Sequence, residues 1–242
     1  MTSSQKLRSP AVCLGTFISS GSSTVAELAS LCGLDWLMLD MEHGALTEAG
    51  LLDCLRATAG RDVVSVVRVP THEAGLISRV LDRGAHALMA PHVESAEQAE
   101  SLVRAMCYAP TGDRGYSRTV RAYGYGLVVP ESVERPLLFA QIESVAGVEH
   151  VEAIAKVPGV DVLFVGPADL KLSLAAHKSA ITYEDALARV LAATKSAGIH
   201  TGILARDRAD VPKLLAMGFS KVAVDSDLAL LRAGFASIKT LT

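Results

Sequence analysis

The chain has no basic cluster and few aromatic residues. Its 23 Lys and Arg against 26 Asp and Glu leave a formal charge of −3, and Phe, Trp and Tyr make up 5% of the 242 residues. A nucleic-acid surface needs basic stripes and ring faces on which bases stack, so that class is set aside. The four cysteines, Cys13, Cys32, Cys54 and Cys107, form no C-x-x-C pair. Each lies in or near an apolar run and reads as a small buried hydrophobe in a reducing compartment. No apolar run approaches the roughly 20 residues of a membrane-spanning helix, and "MTSSQKLRSPAVCLGTF" has no apolar segment fit for a signal peptide. The expectation is a cytoplasmic protein with neither membrane nor nucleic-acid partners. The first strand-like run is followed by "FISSGSST" and not by G-x-G-x-x-G, which argues against an open dinucleotide-binding sheet. G-x-S-x-G is also missing, so serine acyl transfer lacks support.

What is present is hydrophobic and regular. Half of the residues are apolar, enough at this length to bury a large core without disulfides. Strand-like runs appear at "AVCLGTFI", "WLMLDM", "VVSVVRV", "HALMAPHV", "LLFAQI", "VLFVGP", "HTGILA" and "KVAVDS". Between them lie helical patterns with Leu, Ala and Val at spacings of three and four, from "TVAELASLCG" to "LALLRAGFASIKTL". Thr24 with Glu27 and Ser95 with Gln98 fit the capping box, and Thr182 precedes acids. Glycines 33, 60, 84, 159, 198 and 218 mark the stops. The strands are continuously apolar, as parallel strands covered by helices should be. Eight such units predict one α/β domain over residues 1–242, a closed (β/α)8 TIM barrel. One connection is irregular: residues 108–135, rich in Gly, Tyr and Arg, hold Arg114, Arg118 and Arg121 and suit an anionic ligand or a subunit contact.

In such a barrel the chemistry sits where the strands end. The second strand ends in Glu42 and His43, the third in Arg68, the fourth in His92, and the fifth in Gln141 and Glu143. The sixth ends in Asp169, and the eighth in Asp225 and Asp227. Glu143 and Asp169 close consecutive strands, which lie about 4.8 Å apart in a sheet. Carboxylates that close repel unless a cation sits between them, and Mg2+ or Mn2+ takes one or two protein carboxylates. The other reading is a surface acid followed by a helix cap. "VGPADL" offers backbone N–H groups at a helix start, where a carboxylate can bind, or an ordinary turn. Arg68 lies inside an apolar run: it either stabilises charge on a substrate oxygen or closes a salt bridge, for example to Asp40. His43 fits a general base, since imidazoles titrate close to neutral pH, or is simply hydrogen-bonded. Asp82, at a helix end, orients such a histidine or faces solvent. His72, His86, His92 and His177 carry no second signal and read as surface or turn residues.

Taken together, "DWLMLDMEHG", "VRVP", "VLDRGAHALMAPHVESAEQA", "YAPTGDRG", "QIES", "LFVGPADL", "GILA" and "VAVDSDLALLR" resemble the HpcH/HpaI aldolase family, class II pyruvate-type aldolases. The resemblance covers nearly the whole chain. It implies a (β/α)8 barrel assembled as a hexamer, a trimer of domain-swapped dimers. It implies a divalent metal cation (Mg2+, Mn2+ or Co2+) held by Glu143 and Asp169. His43 corresponds to the family's histidine, Asp82 to the aspartate that supports it, and Arg68 to the arginine on the enolate oxygen. Gly166, Pro167 and Ala168 correspond to the turn that holds the substrate carboxylate, with Gln141 of "QIES" beside it. The implied activity is that of a lyase: reversible aldol addition of pyruvate, or a related 2-oxo acid such as hydroxypyruvate, to an aldehyde through a metal-stabilised enolate. No lysine stands at a strand end for a Schiff base.

The chain departs from the family's pattern in the loops. "CYAP" stands where Arg-Tyr-Pro-Pro is frequent, "KLSLAAHKSA" follows "GPADL", and Asp225 occupies a position where glycine is common. These loops choose the aldehyde, so the acceptor is left open. Three rivals remain. A citrate-lyase-like CoA-ester lyase would need more chain and basic contacts for the CoA phosphates. A phosphate-binding isomerase would show glycine-rich turns after strands seven and eight. A non-catalytic assembly barrel would be indifferent to metal.

Overall fold

In the computed structural model, residues 1–129 and 134–239 are described. Part of the irregular connection, residues 130–133, and the last residues of the final helical pattern lie outside them. Eight parallel strands close in chain order into a barrel: β1 (Cys13–Ile18), β2 (Trp36–Asp40), β3 (Val64–Arg68), β4 (Ala87–Ala90), β5 (Leu137–Ile142), β6 (Val162–Val165), β7 (His200–Ala205) and β8 (Lys221–Ser226). The register puts Trp36 beside Val64 and Asp40 beside Arg68. Around the strands run α2 (Ser23–Leu31), α3 (Glu48–Ala57), α4 (Ala74–Asp82), α5 (Ala96–Met106), α6 (Val145–Glu149), α7 (Val151–Ala155), α8 (Pro167–Ala176), α9 (Tyr183–Ala197), α10 (Val211–Met217) and α11 (Asp227–Lys239). The predicted (β/α)8 architecture is the one observed. Among the described residues no helix is long and apolar enough to cross a membrane.

Both strand faces are buried, which accounts for the unbroken apolar runs. Leu37 and Leu39 join the layer between strands and helices, while their neighbours Trp36 and Met38 join the barrel interior. Four aromatics fill the interior: Trp36 packs on Phe139 and Phe164, with ring centroids 5.8 and 6.1 Å apart, and Phe17 lies 6.4 Å from Phe164. A short helix, α1 (Ser3–Leu7), plugs the end where the strands begin, with Leu7 in the interior cluster. Lys221, fully buried, fastens that plug by donating to the carbonyls of Lys6, Ser9 and Ala11 at 3.1, 2.7 and 2.7 Å.

Local details differ from expectation. Ser22, not Thr24, caps α2 by accepting from Val25 N (3.3 Å). Ser95 accepts from Gln98 N, but the Gln98 side chain turns to Glu94 N (2.7 Å), so that box is not closed. "GVEHVEAIAKVPG" is two short helices broken at His150, whose ring bonds the Glu94 carbonyl (2.7 Å). The described part of the 108–135 connection contains a 3-10 turn over Arg121–Gly126, and Tyr108, Tyr116 and Tyr123 pack their rings together.

Candidate active site

The buried strand β2 delivers Asp40 to the mouth, and the carboxylate organises everything after it. Asp40 Oδ1 accepts from the N–H groups of Glu42 (3.1 Å) and His43 (3.3 Å) and from Arg68 Nε (2.9 Å). Its Oδ2 accepts from Arg68 Nη2 (2.8 Å). Gly44 completes the turn, because a Cβ there would lie 2.4 Å from Asp40 O. Glu42 and His43 are thereby presented at the strand end, with His43 64% exposed at its side chain and its Nε2 3.8 Å from Glu42 Oε2. Arg68 is buried, and its remaining nitrogen, Nη1, stands 3.0 Å from Glu42 Oε2. Burial pushes the Asp40 carboxyl up, but the Arg68 hydrogen bonds and charge and the two N–H groups outweigh it, leaving Asp40 below the usual carboxylate range. The salt bridge to Asp40 is real, and it fixes Arg68 against the cavity wall.

Glu143 follows β5 and is 2% exposed. Its Oε1 accepts from His92 N (2.8 Å), and Gln141 Nε2 donates to its Oε2. Burial pushes its carboxyl up to about 7, against the His92 N–H and ring, with the charges of Glu42 and Asp169 adding to the rise. Asp169 lies in the first turn of α8, which starts at Gly166 with Pro167 in its first position. Gly166 is required by contact: a Cβ would meet Glu143 Oε2 at 2.3 Å and Gln141 Nε2 at 2.8 Å. Two buried oxygens, Glu42 Oε2 and Gln141 Oε1, have no hydrogen-bond donor among the described residues. Among those residues no group of three His, Cys, Asp or Glu forms a closed metal cage. An all-oxygen carboxylate pair beside the unused Gln141 oxygen fits a hard divalent ion, which binds one or two carboxylates and keeps part of its water shell.

One small cavity of about 130 Å3 opens among these residues at the C-terminal ends of the strands; Glu42, His92 and Glu143 stand outside its lining. His43, Arg68, Gln141, Gly166, Pro167, Ala168 and Asp169 all line it, together with Asp40, Phe17, Ser19, Phe164, Leu204, Arg206 and Ser226. Asp225 and Asp227 turn to structural tasks: Asp225 Oδ1 accepts from Ser226 N, and Asp227 accepts from the backbone N–H groups of Ser19 and Ser20.

Asp82 is not brought to this site. Barrel helices run back against the strands, so the end of α4 lies at the opposite face, where β4 begins. There Asp82 accepts from Arg114 Nη2 (2.6 Å), and no contact with His43 occurs among the described residues of one chain. The expected support of His43 by Asp82 is therefore not made within the chain. A larger cavity of about 1170 Å3 opens at this face, lined by Arg114, Arg121, Arg135 and four tyrosines of the irregular connection, among other residues. It is remote from the carboxylate pair.

Sequence reasoning missed His92, which lies on Glu143 with Nδ1 3.4 Å from Oε1. It also missed Phe17, Phe164, Ser19, Ser226 and Arg206 in the cavity wall. Only their position at strand ends pointed to them.

The sequence profile of the HpcH/HpaI aldolase/citrate lyase family matches residues 14–233. The hydroxypyruvate/pyruvate aldolase of Paraburkholderia phytofirmans is 42% identical over 226 residues, covering 88% of this chain and 86% of the relative. The 4-hydroxy-2-oxovalerate aldolase of Novosphingobium aromaticivorans is 40% identical over 90% of this chain and 85% of its own length. The crystal structure of an HpcH/HpaI aldolase/citrate lyase family protein from Burkholderia cenocepacia superposes with a TM-score of 0.91 at 37% identity, covering 98% of both chains.

Proposed function

The chain belongs to the HpcH/HpaI aldolase/citrate lyase family, and from that premise we propose how its barrel mouth performs the reaction. The protein is a lyase, a pyruvate-type aldolase that adds pyruvate or a related 2-oxo acid to an aldehyde and reverses the addition. The thioester-cleaving reading is not favoured, because the relatives at 40% identity and above are named as aldolases of free 2-oxo acids. The observation that carries the site is the convergence of Arg68, His43, Asp169 and the 166–168 turn on one small cavity, with the buried Glu143 carboxylate bonded to Gln141 of the cavity wall.

Aldolases of this family generally use a divalent metal. We assign Glu143 and Asp169 as the residues that would hold it, as Mg2+, Mn2+ or Co2+. When bound, the ion supplies Lewis acidity to the keto and carboxylate oxygens of the 2-oxo acid. The Gly166–Pro167–Ala168 turn opens α8, and the backbone N–H groups from Ala168 onward in its first turn orient the substrate carboxylate, with the helix dipole in their favour; the Gly166 N–H itself is donated to Ile142 O (3.2 Å). Gln141 positions Glu143 through its amide. His43 moves the proton of the carbon next to the keto group. Arg68, already fixed by Asp40, offsets the negative charge that develops on the keto oxygen as that proton leaves. Asp82 acts on a histidine only if another copy of the chain supplies it. We propose a homo-oligomer, a hexamer, in a reducing cytoplasm where the four unpaired cysteines stay reduced.

Release of pyruvate from a 4-hydroxy-2-oxo acid tests the site. Activity is expected to vanish on EDTA treatment, to return with Mg2+ or Mn2+, and to be absent in Glu143→Ala, which should also fail to bind Mn2+ by calorimetry. Retro-aldol activity that persists through both treatments would make the carboxylate pair structural.

A further inference from the structure

Arg206 directly follows β7 and lines the same cavity as His43, Arg68 and the 166–168 turn. Among the described residues, two arginines line that cavity. Arg68 is already neutralised by Asp40 and Glu42 at 2.8 and 3.0 Å. Arg206 is exposed and has no hydrogen bond or ion pair with any described residue. The next acid is occupied: Asp207 Oδ1 accepts from Ala209 N (2.9 Å) and caps the 3-10 turn Arg208–Asp210. The backbone at Arg206 is thus held between a strand end and a capped turn, while the residue lines the cavity and its side chain has no partner among the described residues.

Position says what this cation faces. With strands in the order β1 to β8, β3 and β7 stand on opposite sides of the barrel, so Arg68 and Arg206 face one another across the mouth. On the reading above, the 2-oxo acid occupies the walls made by β2, β3, β5 and β6. The wall left for the aldehyde is that of β7, β8 and the end of β1: Leu204, Arg206, Ser226 and Ser19, while the Phe17 ring lies against Arg68 (5.4 Å). An unopposed guanidinium in a cavity wall that also holds Ser19 and Ser226 suits an anion, above all a carboxylate, which it engages through two parallel hydrogen bonds.

We propose that Arg206 selects aldehyde acceptors carrying a second, anionic group, a carboxylate beyond the aldehyde carbon, and holds that group while the new bond forms. This rests on the aldolase assignment of the same site. The bond made joins the carbon next to the keto group to the aldehyde carbon. The proton lost from the first is balanced by the one gained by the aldehyde oxygen, and no redox step is involved.

The test uses metal-loaded enzyme with pyruvate and two acceptors of equal length, 4-oxobutanoate and butanal. The parent enzyme should favour 4-oxobutanoate in kcat/KM by about tenfold or more, the scale of one charge-assisted contact. In Arg206→Gln the ratio should fall towards one through the KM of the charged aldehyde, and Arg206→Lys should restore part of it. Equal losses with both aldehydes, through the KM of pyruvate, would overturn the proposal and assign Arg206 to the 2-oxo acid. An unchanged ratio would also overturn it. Exchange of the pyruvate methyl protons in D2O without aldehyde reads the underlying chemistry separately. Exchange without acceptor preference sinks only the Arg206 proposal, whereas no exchange and no addition sink the aldolase site and this proposal with it.

Discussion

Asp40 and Glu42 touch the same guanidinium and are used differently. Asp40 receives four donors on its two oxygens, whereas Glu42 Oε2 has an ionic neighbour and no hydrogen bond. Asp40 is therefore the structural anchor of the strand end. Asp40→Asn should cost about 3–5 kcal/mol, because it turns an amide towards Arg68 and leaves that charge buried; urea unfolding near neutral pH measures this. The pH dependence has a definite sign. The Asp40 carboxyl is held below its ordinary value, so the stability it contributes is complete above about pH 4 and is lost as pH falls through the depressed value. The gap between parent and variant should close in that acid window, and a gap constant with pH would show that the charge is not what matters. His92 illustrates what a residue type alone conceals. Its contact with Glu143 depends on a backbone turn at φ 49 after β4, a conformation that nothing in "APHVES" announces.

The interior of the barrel is filled by matching large rings to missing side chains on neighbouring strands. At Gly15 a Cβ would stand 2.5 Å from the Trp36 ring and 2.6 Å from its carbonyl oxygen. Gly15→Ala should therefore destabilise by about 1–3 kcal/mol through overpacking, read as a lower Tm with the same far-ultraviolet spectrum. An unchanged Tm would mean the indole can move aside. The eight strands were legible because burial on both faces leaves each as a continuous apolar run, and the six glycine stops all have positive φ. The strand-end carboxylates, His43 and Arg68 were legible for a related reason: a charge interrupting such a run marks where burial ends. The ends of helices were less so. α2 is capped by Ser22 and not by Thr24, and one predicted helix breaks at His150, since capping depends on a bond or two that neighbouring segments can redirect. What the sequence did not show for Asp82 is that its contact with His43 is not made within one chain. Spacing showed it at a helix end, but an end of α4 belongs to the face opposite the chemistry.

At the scale of the whole molecule, α11 does not behave as the eighth helix of a closed barrel should. Of its described residues only Asp227 is buried, whereas α9 buries five. Leu228, Leu231, Phe235 and Ile238, at spacings of three, four and three, form an apolar stripe that is 50, 41, 68 and 62% exposed. Leu127 and Val129 of the irregular connection are exposed as well. On the proposed assembly, this stripe is the surface another chain would cover. A second copy is the economical occupant, because Asp82 can reach a His43 only in another copy. Sedimentation equilibrium should give a hexamer for the parent protein. Phe235→Glu should place a charge in the middle of the stripe and yield smaller species that keep the circular dichroism of a folded barrel. It should also lose aldolase turnover in proportion to the assembly lost if Asp82 acts between subunits. A parent protein that is monomeric at all concentrations, yet fully active, would sink both the assembly and the role of Asp82 in it.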